Sequence, residues 1–146
     1  MKKNFISLIF MSLIFTNIGV SQSRVNEWKH YTSILDFTDM TEDKGVFYFS
    51  SGGGIVEFEP ASKAFRTYSA ESGLTRINLE TINKDPKGNF WVGSGTPVGE
   101  INVFNPEKKS VVKVFDSNTW NQEITAITDF AFLQDRMFAV CQINTD

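Results

Sequence analysis

The chain has 146 residues, 41% of them hydrophobic, with 14 Phe, three Trp, three Tyr and a formal net charge of −3. The length points to one domain at most. The acid-leaning, scattered charge argues against a nucleic-acid binder, which needs clustered Lys and Arg to neutralise phosphates, and the single cysteine, Cys141, excludes an internal disulfide.

Residues 1–23 read as a secretory signal peptide. Lys2 and Lys3 precede an apolar run, Phe5 to Val20, interrupted only by Ser7, Ser12, Thr16, Asn17 and Gly19, and Gly19 to Ser23 offer small residues for cleavage. The run is shorter than the ~20 strongly apolar residues of a membrane span. Loss of Lys2 and Lys3 with the leader takes the formal charge from −3 to −5. The expectation is an exported protein, periplasmic or at the cell surface, with no membrane span after cleavage.

From residue 24 onward the pattern is one of short strands rich in aromatic and β-branched residues. Trp28 to Tyr31 alternates and reads as a strand. His30, the one histidine, has no second His and no Cys pair beside it, so it reads as a solvent-facing strand residue rather than a metal ligand or general base. Ile34 to Met40 is a weaker strand, interrupted by Asp36 and Asp39. Val46 to Phe49, Ile55 to Phe58 and Ala64 to Tyr68 follow, separated by the Glu42–Gly45 turn, the Ser50–Gly54 stretch and the Glu59–Lys63 turn. The same order then returns. Ile77 to Lys84, Phe90 to Val92, Glu100 to Phe104 and Val111 to Phe115 read as strands. Between the first two of these lies the Asp85–Gly88 turn, where Pro86 pre-sets the backbone and Gly88 closes it. Asp116 to Gln122 reads as a loop, and Ile124 starts a third unit.

The repeat can be counted. Gly45 to Gly88 and Phe47 to Phe90 are 43 residues apart, Ile55 to Ile101 and Phe58 to Phe104 are 46, and Tyr68 to Phe115 and Trp91 to Phe138 are 47. Four strands per ~40–50 residues is the period of a β-propeller blade. A β-sandwich is the rival, but it does not require strands to repeat in groups of four with matched turns. The expected fold class is all-β: a β-propeller fragment of about two and a half four-stranded antiparallel blades after a signal peptide, with an incomplete propeller over 24–146 and units at about 34–76, 77–122 and 123–146. A ring needs at least ~4 blades, so closure needs blades missing from this chain, and a piece of a longer protein is expected. Trp28 to Tyr31 resembles the fourth strands Phe65–Tyr68 and Val112–Phe115, and is expected to close the ring as an outer strand of the last blade.

The stretch Asp85-x-x-Gly88-x-Phe90-Trp91-Val92-Gly93-Ser94, preceded by Gly73-Leu74, resembles the two-component regulator propeller repeat. Trp28-x-x-Tyr31, Gly45 to Tyr48 and the Thr67-Tyr68…Ser72-Gly73-Leu74-Thr75 loop are similar to the N-terminal propeller of PorZ-type proteins of the type IX secretion system. The resemblance covers about residues 26–140. Unit one departs from it with Tyr48 in place of Trp, unit two with the insertion Thr96-Pro97-Val98, and unit three by lacking the Gly after Asp135.

No catalytic, cofactor-binding or metal-binding residue stands out. Gly93-Ser94-Gly95 lacks the Gly-x-Ser-x-Gly of a nucleophile elbow. Ser51-Gly52-Gly53-Gly54 lacks the Lys-Ser/Thr of a phosphate loop and reads as a tight hairpin where backbones crowd. Asp43 and Asp85 sit in turns, where Asp caps the backbone with its own side chain; calcium spacing is absent. Glu57 and Glu100 lie near matched strand positions; solvent-facing residues are the preferred reading over a carboxylate pair for glycoside hydrolysis. Cys141 reads as a small buried hydrophobe on a strand, not a nucleophile. The expected function is therefore that of an exported, non-catalytic repeat domain holding a protein, peptide or glycan at one propeller face, with a type IX secretion component as one context. The alternatives are the periplasmic sensor propeller of a hybrid two-component histidine kinase and a polysaccharide-acting enzyme scaffold.

Overall fold

The computed structural model describes residues 36–134 and 136–143. The expected signal peptide, the Trp28–Tyr31 strand and His30 lie outside the described residues. What is described is all-β and antiparallel. Strands β1 (Phe37–Asp43), β2 (Val46–Ser51), β3 (Gly54–Glu59) and β4 (Ala64–Tyr68) form one sheet in chain order. Strands β5 (Leu79–Lys84), β6 (Phe90–Ser94), β7 (Ile101–Asn105) and β8 (Ser110–Phe115) form a second in the same order. A third sheet consists of β9 (Ala126–Leu133) and β10 (Arg136–Gln142).

Local chemistry explains the hairpins. Lys44 (φ 53°) and Gly45 (φ 82°) both take left-handed backbone, the requirement of a two-residue turn whose twist matches its strands. Gly52 and Gly53 join β2 to β3, as the crowded-hairpin reading expects. Ser51 Oγ donates to the Gly54 carbonyl at 2.8 Å, and Gly53 N–H donates to Ser51 Oγ at 3.2 Å. In the linker between β8 and β9, read from sequence as a loop, Ser117–Trp120 forms a single helical turn, α1. Asp116 and Thr119 cap each other reciprocally at its start, a local hydrogen-bond box that needs no hydrophobic periodicity.

The sheets stack face to face, and the repeat dictates how. Along β6, Phe90 and Val92 point to the first sheet and Trp91 to the third, because successive side chains on a strand take opposite faces. The first sheet presents Tyr48, Ile55 and Tyr68, one each from β2, β3 and β4, to Leu79, Ile82, Phe90, Val92 and Phe104 of the second. The second presents Trp91, Ile101 and Phe115 to Ile127, Phe130, Phe132, Met137 and Ala139 of the third. These presenting residues are repeat equivalents at the 43-, 46- and 47-residue offsets. Aromatic geometry follows the same rule: Tyr48 meets Phe90 with ring centroids 4.5 Å apart, and Tyr68 meets Phe104 at 4.9 Å. Trp91 meets Phe132 edge-on at 5.9 Å.

The first strands of successive sheets, β1, β5 and β9, lie side by side and are stitched by polar side chains. Thr38 Oγ1 donates to the Leu79 carbonyl at 2.9 Å. The Asp39 carboxylate accepts from Thr81 Oγ1 at 2.9 Å and from Ile82 N–H at 3.0 Å. Asn83 Nδ2 donates to the Phe130 carbonyl at 3.1 Å. Because β5 and β9 are edge strands of their own sheets, these contacts satisfy backbone groups that an open edge leaves unpaired. Asp39, read from sequence as an interruption of a strand, lies within β1 and acts as a fastener between sheets. Small residues permit the close approach: a Cβ on Gly93 would sit 2.7 Å from Ile127 Cβ, and one on Gly99 would sit 2.7 Å from Ile124 Cγ2.

Candidate functional site

The antiparallel meander sorts its connections by end. Tight turns at 44–45, 60–63, 85–89 and 106–109 share one end of the strands. The longer links 69–78, 95–100 and 116–125 share the other, together with the two-residue Gly52–Gly53 turn. Long loops on a rigid scaffold are where binding groups are placed, and the long-loop end carries an open hollow of about 550 Å³ lined by Thr96, Pro97, Thr125, Gln142 and Ile143.

The loops around this hollow are fixed by hydrogen bonds. Asn78 Nδ2 donates to the Thr96 carbonyl at 3.1 Å, and Gly95 N–H donates to the Asn78 carbonyl at 2.8 Å. Thr125 donates from both N–H and Oγ1 to the Gln142 carbonyl, at 2.8 and 3.1 Å. Ser94 Oγ accepts from Glu100 N–H at 2.7 Å and donates to the Val98 carbonyl at 2.9 Å. In the same set of loops Arg76 Nε meets Glu100 Oε1 at 3.1 Å. Thr75 donates from N–H and Oγ1 to Asn102 Oδ1 at 3.2 and 3.1 Å. None of the five lining residues titrates. The wall offers hydroxyl, amide and backbone groups beside two apolar side chains, a surface suited to a hydrogen-bonding ligand with an apolar flank.

The carboxylates singled out in the sequence take other places. Glu57 and Glu100 are buried rather than solvent-facing, which corrects that reading. Glu57 Oε1 meets Arg66 Nη1 at 2.9 Å, and Oε2 accepts from the Tyr68 hydroxyl at 2.5 Å. Glu100 precedes β7 rather than starting it, and is held by Arg76. Each carboxylate thus has its own arginine, Arg66 on the strand beside Glu57 and Arg76 in the loop that faces Glu100. Burial and the neighbouring Glu57 charge push the Tyr48 hydroxyl up to about 12, and burial with the Glu57 hydrogen bond raises Tyr68 as well. Asp43 ends β1 and pairs with Lys84 of β5 at 2.9 Å instead of capping its own turn. In the first turn Glu42, the repeat equivalent of Asp85, takes the capping role by accepting from Gly45 N–H. Cys141 lies on β10 as expected but is exposed, not buried.

Asp85 does cap its turn, and does more. Its carboxylate accepts from the N–H groups of Lys87 (2.8 Å) and Asn89 (2.9 Å), from Asn89 Nδ2 (3.2 Å) and from Trp91 Nε1 (3.0 Å). The Asp-x-x-Gly-x-Phe-Trp motif is therefore a mechanical unit: the aspartate sets both the turn and the indole that the second sheet presents to the third. Burial disfavours the Asp85 charge, but the hydrogen bonds from Trp91, Asn89 and Lys87 outweigh it and hold the carboxyl below its ordinary value. A group whose folded pKa is depressed contributes stability that is present above the unfolded value, ~3.9, and lost as pH falls through the folded one. Asp85→Ala is expected to lose roughly 2–3 kcal/mol at neutral pH, the scale of charge-assisted hydrogen bonds. Urea midpoints measured at neutral and at acid pH check this: the variant should lose less on acidification than the parent, and equal acid losses would remove Asp85 from the account.

No protein-family model matches the chain, and no curated protein or solved structure does either.

Proposed function

We propose that the chain is part of an exported, non-catalytic β-propeller whose long-loop end holds a protein, peptide or glycan, a type IX secretion component and the sensor propeller of a hybrid histidine kinase being the two contexts its repeat resembles. The observation that carries the reading is the packing of the sheets. Two four-stranded meanders and the start of a third stack through equivalent residues, Tyr48, Ile55 and Tyr68 in one and Trp91, Ile101 and Phe115 in the next. Radial stacking of four-stranded sheets with first strands side by side is how propellers are built. The leader read in residues 1–23 supports export, and the open hollow at the long-loop end supports a binding role at one face.

Glycan and peptide arrays probed with the purified chain test the reading. Binding is expected that weakens about tenfold, the loss of one good polar contact, in Gln142→Ala or Thr96→Ala. Lys63→Ala, in a turn at the opposite end, should leave it unchanged. Binding mapped to the tight-turn end would place the site elsewhere, and release of a cleaved glycan would replace the binding function with an enzymatic one.

A further inference from the structure

Charge is sorted by strand end, as the loops are. In the long links and the two strand residues that flank them stand six carboxylates, Asp36, Glu71, Glu80, Glu100, Asp116 and Glu123, and one cation, Arg76. Arg76 is already held by Glu100 at 3.1 Å. The tight-turn end, counted the same way among the described residues, has seven cations against five carboxylates. The two ends therefore differ in the sign of their charge. Further blades stack on the faces of the sheets and leave the strand ends open, so this sorting does not depend on what covers the faces.

Glu80 has a particular place among these carboxylates. The register of each first strand slips by one residue, between Phe37 and Asp39, between Leu79 and Thr81, and between Ile127 and Asp129. The extra residues are Thr38, Glu80 and Thr128, at the kind of irregularity that re-aims a side chain. The two threonines donate to carbonyls, Thr38 to Leu79 at 2.9 Å and Thr128 to Val140 at 3.3 Å. Glu80 is half-buried, lies against Gly95, and has no hydrogen bond or ion pair among the described residues. Gly95 leads directly into Thr96 and Pro97 of the hollow. A carboxylate drawn partly out of water with no partner costs free energy that an arriving cation offsets. The wall of the hollow is itself uncharged, with Pro97 and Ile143 as its apolar groups. A side chain with an aliphatic stem and a cationic head, as Lys and Arg have, matches both features.

We propose that the long-loop end binds a basic peptide segment, with a Lys or Arg stem on Pro97 and Ile143 and its cationic head at Glu80. The inference rests on the reading of that end as the binding face, and narrows its ligand to a cationic peptide. Glu71, Asp116 and Glu123, in the links at the same end, steer the approach of such a ligand and repel an acidic one.

Fluorescence anisotropy with the purified full chain tests the proposal. The probe is a labelled peptide of alternating Lys and Ala, compared with the same peptide carrying Gln or Glu in place of Lys. The Lys peptide is expected to bind, the Gln peptide at least tenfold more weakly, and the Glu peptide not at all. Binding of the Lys peptide should weaken at least tenfold between ~50 and ~500 mM salt. Glu80→Gln is expected to weaken it about tenfold. The exposed pair Glu71→Gln with Glu123→Gln should weaken it a few-fold, and Glu59→Gln, at the tight-turn end, should leave it unchanged. The proposal is overturned if the Lys peptide does not bind, if the Gln peptide binds as well, or if Glu80→Gln binds like the parent. An equal loss in Glu59→Gln would mean attraction to an acidic protein in general, and overturns it too. An uncharged array ligand lost in Gln142→Ala would overturn this inference and leave the binding face in place, whereas binding mapped to the tight-turn end would remove both.

Discussion

Replacing Phe90 with alanine is expected to destabilise the protein by about 3–5 kcal/mol, the cost of deleting a fully buried aromatic side chain. Phe90 has no solvent exposure. It meets Tyr48 of the first sheet at 4.5 Å and Phe104 of its own sheet at 6.4 Å, so truncation removes area from water-excluded contacts on both sides and leaves a cavity that two rigid sheets cannot close. Phe47→Ala is the matched control. It deletes the same side chain at the same position of the repeat, but on a face with no sheet across from it among the described residues, and its expected cost is about 1 kcal/mol. Urea denaturation reads both, provided the slope with denaturant is unchanged. Equal losses would show that the two positions are not distinguished by the stacking of the sheets, and would undermine the division of each sheet into presenting and receiving faces.

That division was legible in the sequence to a useful depth. The strands around Val46, Phe90 and Val111 follow from runs of aromatic and β-branched residues between turn signals, and the 43- to 47-residue offsets group them in fours. Alternation along Phe90-Trp91-Val92 places consecutive residues on opposite faces without any structure. What the sequence hid is polar and non-local. Asp39 looked like a break in a strand because its partners, Thr81 Oγ1 and Ile82 N–H, lie more than forty residues away in another sheet. Glu57 looked solvent-facing because a carboxylate on an alternating strand usually is. Yet a turn over Pro60–Lys63 already implies that Glu57 pairs across to Arg66, and that register was an available sign of a neutralised, buried carboxylate. The long-loop end offered no such sign: Arg76 finds Glu100 and Thr75 finds Asn102 across 24 and 27 residues, at separations set by loop paths rather than by any period. The α1 turn announced itself only in Asp116-x-x-Thr119, a spacing easily lost among strands.

Gly54→Ala is expected to cost about 3 kcal/mol or more, against about 1 kcal/mol for Gly45→Ala and Gly88→Ala. All three glycines hold positive φ, +119°, +82° and +84°, so all three pay for forcing a Cβ into a left-handed conformation. They differ in what the new atom meets. Around Gly45 and Gly88 nothing lies within 4 Å, whereas a Cβ on Gly54 would sit 2.2 Å from the Tyr68 carbonyl oxygen. That oxygen belongs to the backbone of β4, and Ile55, the residue after Gly54, pairs directly with Tyr68. Relief would therefore have to come from moving β4 away from β3. Such a shift would pull Tyr68 from its contact with Phe104 at 4.9 Å and from Glu57, so a local clash spreads into the packing between the sheets. Thermal melts of the three variants decide the matter. A Gly54 variant no less stable than the other two would mean that the β3–β4 pairing yields without cost, and the close backbone approach could not be what fixes a glycine at the start of β3.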